Sequence, residues 1–260
     1  MKFLSIAHSD VGIRKKINQD SVLIKEASTD KGNVLLALVC DGMGGFAKGE
    51  VASATLIRAF SVWFEKELPD LLYKDGKIQE INEESLMSSW DKVISEVNLK
   101  IAAYGEKMRA QCGTTLAAIL LANEKYYIAN VGDSRVYKLD GTMRHLTVDQ
   151  TFVQREIDEG RLTEDEAKVH PQRNVLLQCI GTGVAVIPEY VIGTFKVGEG
   201  FMLCSDGFRH VITEEEFLKL LSPEKLKNEK DLKDAAVYFT ELNKQRREND
   251  NISVILIKVE

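Results

Sequence analysis

The chain has 260 residues, of which 44% are apolar and 28% are charged, and its formal net charge is −6 at pH 7. This composition is typical of a globular protein with a sizeable core and excludes an intrinsically disordered chain. The negative charge argues against nucleic-acid binding, which depends on clustered Lys and Arg side chains. The sequence contains neither an apolar run of roughly 18 residues nor the apolar core of a signal peptide, so it predicts a cytoplasmic protein with no membrane segment.

The cysteines are interpreted as free thiols. The four of them, Cys40, Cys112, Cys179 and Cys204, show no Cys-x-x-Cys spacing, and three lie in apolar runs. Such cysteines are typically buried thiols and neither zinc ligands nor disulfides, which suits a reducing compartment.

Hydrophobic periodicity predicts strands, then two long helices, then a second block of strands. The first strands are expected at about 3–8, 21–27 and 33–40, the amphipathic helices at about 50–67 and 78–108, and the second block at about 114–122, 125–131 and 134–139. The short segment Gly132-Asp133-Ser134 is predicted as the turn of an antiparallel hairpin between the last two strands.

The C-terminal half also contains both helices and strands. A polar segment that favours helix runs from Asp149 to about Gln172, followed by strands at about 187–196 and 200–204, helices at about 213–221 and 230–246, and a closing strand at about 252–257. The run from Val34 to Val39 is apolar at every position, so its sheet should be covered on both faces. Two packed sheets flanked by helices satisfy this, and the order is α+β. No linker or repeat is evident, so we expect one domain over residues 1–260.

Three aspartates flank apolar, strand-like segments. Asp41 follows Val39-Cys40, Asp206 follows Leu203-Cys204-Ser205, and Asp250 precedes the closing strand. A single such aspartate is usually part of a turn. If the three strand ends meet, however, the carboxylates repel one another unless cations neutralise them, and all-oxygen ligands select Mg²⁺, Mn²⁺ or Ca²⁺ over zinc.

Two further features extend this hypothesis. Gly42 lacks a Cβ, so its backbone can approach an ion or a phosphate closely, although a tight strand-to-helix connection would also explain it. Arg14 lies in a basic segment that ends at Asp20. A guanidinium recognises phosphate with two parallel hydrogen bonds, so Arg14 is a candidate phosphate clamp, the alternative being a solvated loop. A two-metal centre with such a clamp fits phosphoester hydrolysis.

An ordered series of motifs spans nearly the whole chain and resembles the PP2C family of metal-dependent protein phosphatases, bacterial branch. The motifs are Ser9-Asp10-Val11-Gly12-Ile13-Arg14, Asn18-Gln19-Asp20, Val39-Cys40-Asp41-Gly42-Met43-Gly44-Gly45, Cys112-Gly113-Thr114-Thr115, Asn130-Val131-Gly132-Asp133-Ser134-Arg135, Leu146-Thr147-Val148-Asp149-Gln150, His170-Pro171-Gln172-Arg173-Asn174, Cys204-Ser205-Asp206-Gly207 and Asn249-Asp250-Asn251. Each motif alone has low specificity, whereas their order is highly specific.

The resemblance implies a four-layer α-β-β-α sandwich, with two central antiparallel sheets flanked by helices and a metal site at one end. It implies two Mn²⁺ or Mg²⁺ ions and, in bacterial relatives, a third. By position, Asp41 would bridge two ions, Asp206 and Asp250 would complete the first ion's site, and the Gly42 carbonyl and Asp20 would hold the second ion, directly or through water. Asp149 and Asp206 would bind the third ion.

Some positions depart from the family or need an interpretation of their own. The family's histidine near the cleft is replaced by Met43 and Phe46, which predicts a slower enzyme toward poor leaving groups. The polar stretch at about 151–173 corresponds to the family's variable flap, although its charges alone would suit any solvated surface. For Arg135 a structural ion pair is favoured over a phosphate contact.

The resemblance predicts a protein serine/threonine phosphatase acting on phosphorylated proteins and opposing a bacterial Ser/Thr kinase, and we expect a monomer. Two alternatives remain open from the sequence. One is a metal-dependent hydrolase of nucleotides or sugar phosphates, although no Walker-type loop is present. The other is a phosphoprotein-binding module without catalysis, against which the complete set of carboxylates argues.

Overall fold

The structure is a computed structural model that describes residues 1–43, 48–74 and 76–260. Its N-terminal part contains β1 (Phe3–Asp10), β2 (Ser21–Thr29), β3 (Gly32–Cys40), β4 (Gly42–Met43), α1 (Gly49–Lys66), α2 (Leu68–Leu72), β5 (Tyr73–Lys74), β6 (Lys77–Ile78) and α3 (Glu83–Met108). The middle part contains β7 (Gly113–Thr114), β8 (Leu116–Ala122), β9 (Lys125–Val131), β10 (Arg135–Leu139), β11 (Met143–His145), α4 (Phe152–Asp158) and α5 (Glu164–Val169). The C-terminal part contains β12 (Glu189–Thr194), β13 (Gly200–Cys204), α6 (Asp206–Arg209), α7 (Glu214–Leu221), α8 (Glu229–Gln245) and β14 (Ile252–Val259).

Two five-stranded antiparallel sheets form the centre of the described part of the chain. Their strand orders are β1-β14-β13-β10-β11 and β12-β9-β8-β3-β2, and all neighbouring strands run antiparallel. We call them the terminal sheet, because it contains β1 and β14, and the β3 sheet. The sequence predicted every strand of the two sheets except β11, which has only three residues and no apolar run.

The apolar side chains form three layers of core. Leu35, Ala37 and Val39 of β3 pack against residues of β13 and β14, in a core between the two sheets. Their neighbours along β3, such as Leu36 and Leu38, pack instead against α1 and α3 on the outer face. On the other side, α6, α7 and α8 cover the terminal sheet. Both faces of each sheet are therefore covered, and the predicted four-layer sandwich is confirmed.

The predicted hairpin at Gly132-Asp133-Ser134 is wrong. β9 belongs to the β3 sheet and β10 to the terminal sheet, so this turn carries the chain from one sheet to the other. Gly132 has a φ of +99°, and a Cβ there would lie 2.7 Å from the Thr115 side chain. Its N–H donates to Gln150 Oε1 at 2.8 Å. The alternating pattern identified the strands, but it holds no information about which strand each one pairs with.

The four cysteines are free, and all except Cys179 are fully buried, as the sequence predicted. Of the helices in the described ranges, none has the length and apolar character needed to cross a membrane.

Candidate active site

Four aspartates lie at one end of the sandwich, two from each sheet. Asp20 directly precedes β2 and Asp41 directly follows β3, whereas Asp206 follows β13 by two residues and Asp250 precedes β14 by two. The negative charges of these residues act on one another's ionisation. The fold therefore brings together the four aspartates that the sequence singled out at strand ends.

The environment of the carboxylates disfavours their ionised forms. Burial raises the pKa of Asp20 to about 7, with further contributions from the charges of Asp206 and Asp250. Burial together with Asp20 and Asp206 raises the pKa of Asp41 well above its usual range. The pKa of Asp206 is raised for the same reason, first by burial and then by Asp250. Such clustering destabilises a protein unless cations or protons neutralise the charges.

The buried carboxylate oxygens provide a test of whether a cation fits. Within the described residues, no hydrogen bond of regular geometry reaches either side-chain oxygen of Asp20 or Oδ1 of Asp206, although the hydroxyls of Ser253 and Ser205 lie close enough to Asp20 to act against the rise of its pKa. Buried polar atoms are almost always paired, so these three oxygens fit ligation of a hard divalent ion such as Mn²⁺ or Mg²⁺. As the side chains are placed, no three carboxylate, imidazole or thiol groups of the described ranges form a complete coordination site.

The backbone around Asp41 is fixed by neighbouring groups. The Asp41 N–H donates to Thr115 Oγ1 at 2.9 Å, and the Asp41 carbonyl accepts from Thr114 Oγ1 at 3.0 Å. Gly42 packs so closely that a Cβ would lie 2.3 Å from the Gly49 carbonyl oxygen. Close packing against the start of α1 thus requires glycine at this position.

The rest of the glycine-rich loop, including Phe46, lies outside the described residues.

The cation that faces the carboxylates is Lys15 and not Arg14. Lys15 Nζ lies 2.8 Å from Asp250 Oδ1. Burial alone would lower the pKa of Lys15, but hydrogen bonding to Asp250 and the charges of Asp41 and Asp206 raise it. Arg14 is exposed, and no described residue forms a hydrogen bond or an ion pair with it. The basic segment that the sequence singled out thus lies at the cluster, and of its side chains Lys15 is the one in contact with a carboxylate; the clamp role of Arg14 stays a prediction.

Asn251 holds the basic segment against the site. Its side-chain oxygen accepts from the Gln19 N–H at 2.9 Å, and its amide nitrogen donates to the carbonyls of Val11 at 2.9 Å and Ile17 at 3.2 Å. Three hydrogen bonds from one buried side chain fix both ends of the loop that contains Lys15. The residue after Asp250 thus positions the loop.

Asp149 is engaged by two arginines. Arg135 donates to both of its carboxylate oxygens at 2.7 Å, in the bidentate geometry that arginine favours. Arg209 contacts Asp149 Oδ2 at 3.3 Å and donates to the Asp133 carbonyl at 3.0 Å. Burial alone would raise the pKa of Asp149, but the two guanidinium groups outweigh burial and lower the pKa. The structural ion pair expected for Arg135 is thereby confirmed.

Asp133 lies in the cluster, although the sequence analysis assigned it no role beyond a turn and a place in a family motif. It is 8% exposed, and burial followed by the charge of Asp206 raises its pKa to about 7. Arg209, three residues after Asp206 in α6, acts in the opposite direction. The motif Asn130-Val131-Gly132-Asp133-Ser134-Arg135 was the signal that could have identified Asp133, but Gly-Asp-Ser between two predicted strands matches an ordinary turn equally well.

A cleft of about 1370 Å³ opens beside the cluster. Asp133, Asp206 and Asp250 are among the residues that line it. The predicted flap, about 151–173, contains α4 and α5, and residues of both helices line the cleft. The arrangement combines a buried carboxylate cluster, a nearby ammonium group and a large open cleft, which suits the hydrolysis of a phosphoester on a bulky substrate.

Comparison with known proteins agrees with this geometry. Residues 12–256 match the family model of protein phosphatase 2C. The chain is 33% identical to the serine/threonine phosphatase stp of Listeria monocytogenes, over 96% of this chain and 93% of that protein.

Solved structures give the same result. The chain matches the crystal structure of the Mycobacterium tuberculosis serine/threonine phosphatase PstP/Ppp with a TM-score of 0.80 and 33% identity, over 99% of each chain. It also matches the catalytic domain of PstP in complex with two manganese ions, with a TM-score of 0.78 and 31% identity, over 99% of this chain and 98% of that chain. The chain belongs to the protein phosphatase 2C family.

Proposed function

We propose that the chain removes phosphate from phosphoserine and phosphothreonine residues of proteins at the cluster of Asp20, Asp41, Asp206 and Asp250, with Mn²⁺ or Mg²⁺ as cofactor. As a member of the protein phosphatase 2C family it is a metal-dependent protein serine/threonine phosphatase. The observation that carries the assignment to these residues is the mutual repulsion of the four carboxylates, two of which, Asp20 and Asp206, are buried with oxygens that no regular hydrogen bond reaches. Family membership argues against the nucleotide or sugar-phosphate alternative, and the intact carboxylates argue against a binding module without catalysis.

We assign a role to each residue near the cluster. Asp20, Asp41, Asp206 and Asp250 would hold the ions, and the Gly42 carbonyl would be a further oxygen ligand. For a third ion we favour Asp133 over Asp149, because the Asp149 carboxylate is already paired with two arginines, whereas Arg209 contacts only the backbone carbonyl of Asp133 and the charge of Asp206 acts on the Asp133 carboxylate.

The bound ions supply Lewis-acid activation of a water molecule and charge neutralisation in phosphoryl transfer. Side chains of the protein would bind the phosphate and hold the site in place. Lys15 would bind the phosphate oxygens, since its ammonium group already lies at the edge of the cluster and 39% of its side chain is exposed. Asn251 would keep Lys15 in place through the hydrogen bonds to the loop. The Arg135–Asp149–Arg209 network would hold the Asp133 turn against α6.

The function is tested by phosphate release from a phosphothreonine peptide and from p-nitrophenyl phosphate, with Mn²⁺, Mg²⁺ or a chelator. We expect metal-dependent turnover of both substrates and loss of both with chelator. A matched phosphotyrosine peptide serves as control and should be the poorer substrate. Turnover that persists in chelator, or no turnover with either metal, would refute the proposal.

Exchanging Lys15 for Ala is expected to lower kcat/KM for the phosphothreonine peptide by roughly 10-fold or more, mainly through KM. The reason is that a hydrogen bond to a charged group contributes about 1.5–3 kcal/mol. Arg14→Ala is the matched control and should stay near wild type. Both are measured at saturating Mn²⁺, because Lys15 also contacts Asp250. A larger loss for Arg14→Ala would restore the original assignment of the clamp.

The biological setting is also a proposal. Free, buried thiols support a reducing compartment such as the cytoplasm, and the expected activity would oppose a serine/threonine kinase. We further propose that residues 1–260 form one catalytic domain that acts as a monomer. Size-exclusion chromatography with light scattering would test the last point, and a dimer at micromolar concentration would contradict it.

A further inference from the structure

A buried glutamate lies in the turn that joins α8 to β14, two residues before Asp250. The residue before it, Arg247, has a φ of +64°, in the left-handed region that residues with a Cβ seldom adopt. After this turn Glu248 is only 8% exposed, and it lines the cleft together with Asp250. Unusual backbone conformations persist where the surrounding structure holds them, and they are often found at functional sites. A further negative charge beside the carboxylate cluster therefore calls for a function.

One carboxylate oxygen of Glu248 holds the backbone of the turn. Glu248 Oε1 accepts hydrogen bonds from the N–H of Asn249 at 2.6 Å and from the N–H of Asp250 at 3.0 Å. The N–H of Glu248 donates in turn to the carbonyl of Asn243 at 3.0 Å, near the end of α8. Glu248 thus connects a helix to the backbone of Asp250, and the orientation of the Asp250 side chain depends on that backbone.

The other carboxylate oxygen faces His210. Glu248 Oε2 lies 3.7 Å from His210 Nδ1, and the second ring nitrogen, His210 Nε2, lies 3.7 Å from Asp206 Oδ2. The His210 N–H donates to the Asp206 carbonyl at 3.1 Å. The imidazole therefore lies between the carboxylates of Glu248 and Asp206. Through its two oxygens Glu248 contacts the backbone of one aspartate of the cluster and the side-chain neighbour of another.

We propose that Glu248 is a positioning residue for metal binding, which keeps the carboxylates of Asp250 and, through His210, of Asp206 in the arrangement that an ion requires. This inference rests on the proposed function. Glu248 is not counted as a ligand, because two backbone N–H groups already occupy its Oε1. Hydrogen-bonding groups behind metal ligands typically contribute about 10–100-fold to metal affinity.

Calorimetric titration of the full chain with Mn²⁺ tests the proposal. We expect Glu248→Ala to weaken Mn²⁺ binding by about 10-fold or more. Glutamine keeps a side-chain oxygen that can accept the same two hydrogen bonds, so the affinity of Glu248→Gln should lie closer to wild type than to Glu248→Ala. Glu248→Leu, which fills the space without an acceptor, is a second variant in case the alanine variant does not fold.

The matched control is Asn228→Ala, at the opposite end of the same helix. The Asn228 side chain caps α8 by accepting from the Asp231 N–H at 3.0 Å. Loss of this cap should lower the melting temperature and leave Mn²⁺ affinity unchanged. The control therefore separates a change at the metal centre from a general loss of stability.

The outcomes separate this inference from the proposed function. Wild-type affinity in both Glu248→Ala and Glu248→Leu overturns the inference alone, as does a glutamine variant whose affinity lies closer to that of alanine, since charge and not hydrogen bonding would then be what matters. Equal weakening in Asn228→Ala also overturns it. A wild-type protein that neither binds Mn²⁺ nor hydrolyses p-nitrophenyl phosphate overturns the proposed function and this inference with it.

Discussion

Substitution of Asp206 by Asn is expected to lower Mn²⁺-dependent kcat for a phosphothreonine peptide by about 10³-fold or more. Asp206 is buried, its Oδ1 has no hydrogen-bond partner in the described part of the chain, and it interacts electrostatically with both Asp133 and Asp250. An amide is a neutral and weaker ligand, so an ion at this position would be lost or displaced. Loss of one ion removes several kcal/mol of transition-state stabilisation, which corresponds to about that factor in rate.

Two measurements separate this effect from simple unfolding. Calorimetric titration with Mn²⁺ should show fewer or weaker sites in Asp206→Asn, and the melting temperature without metal should not fall, because removing one charge relieves repulsion. Asp30→Asn, in the exposed turn between β2 and β3, is the matched control and should behave as wild type. Full activity in Asp206→Asn would exclude the assigned metal centre.

The second large effect concerns pH. Without metal, Asp20→Asn should match wild type in stability at or below pH 3.8 and become progressively the more stable of the two as pH rises to 7. Asp20 has a pKa of about 7 in the folded chain against 3.8 when unfolded, so the folded state holds the proton more tightly. The stability that this proton confers is complete below pH 3.8 and is lost as pH rises through 7. An asparagine does not titrate, so the Asp20→Asn protein keeps this stability as the pH rises.

The expected difference between the two proteins grows by on the order of 3 kcal/mol between pH 5 and pH 7, since one pKa unit corresponds to about 1.4 kcal/mol. Thermal melts in chelator at four or five pH values would measure it. His8, His145 and His210 have lowered pKa values and give the opposite slope, but they contribute equally to both proteins and cancel. A constant difference across this range would show that Asp20 is ionised throughout.

The sequence predicted the elements of the fold better than their connections. The predicted strand 33–40 is a continuous apolar run, and β3 matches it to within one residue. The predicted helix 78–108 is long and periodic, and α3 differs from it mainly at the start, because α2 and a short hairpin precede α3. The turn at Gly132-Asp133-Ser134 failed because strand pairing depends on contacts between distant residues. A local pattern that suits a hairpin suits a crossing between sheets equally well.

The same limit applied to the site. Asp41, Asp206 and Asp250 were identified because each flanks an apolar strand, and strand ends at one edge meet in a packed sandwich. Residue types alone do not show which side chain of a loop faces the cluster, so the sequence analysis did not single out Lys15 beside Arg14. Asp133 and Asp149 were likewise indistinguishable until their neighbours were known, since only the fold reveals which carboxylate already has arginine partners.

The four aspartates are divided between the two sheets, and this division links ion binding to packing far from the ions. Asp20 and Asp41 are attached to the β3 sheet, and Asp206 and Asp250 to the terminal sheet. Ions bound between them would therefore cross-link the sandwich, and ion affinity and sheet packing become linked equilibria. A substitution in the core between the sheets, such as Phe201→Leu, would then weaken ion binding without altering any ligand, and added Mn²⁺ would in turn compensate for imperfect packing there.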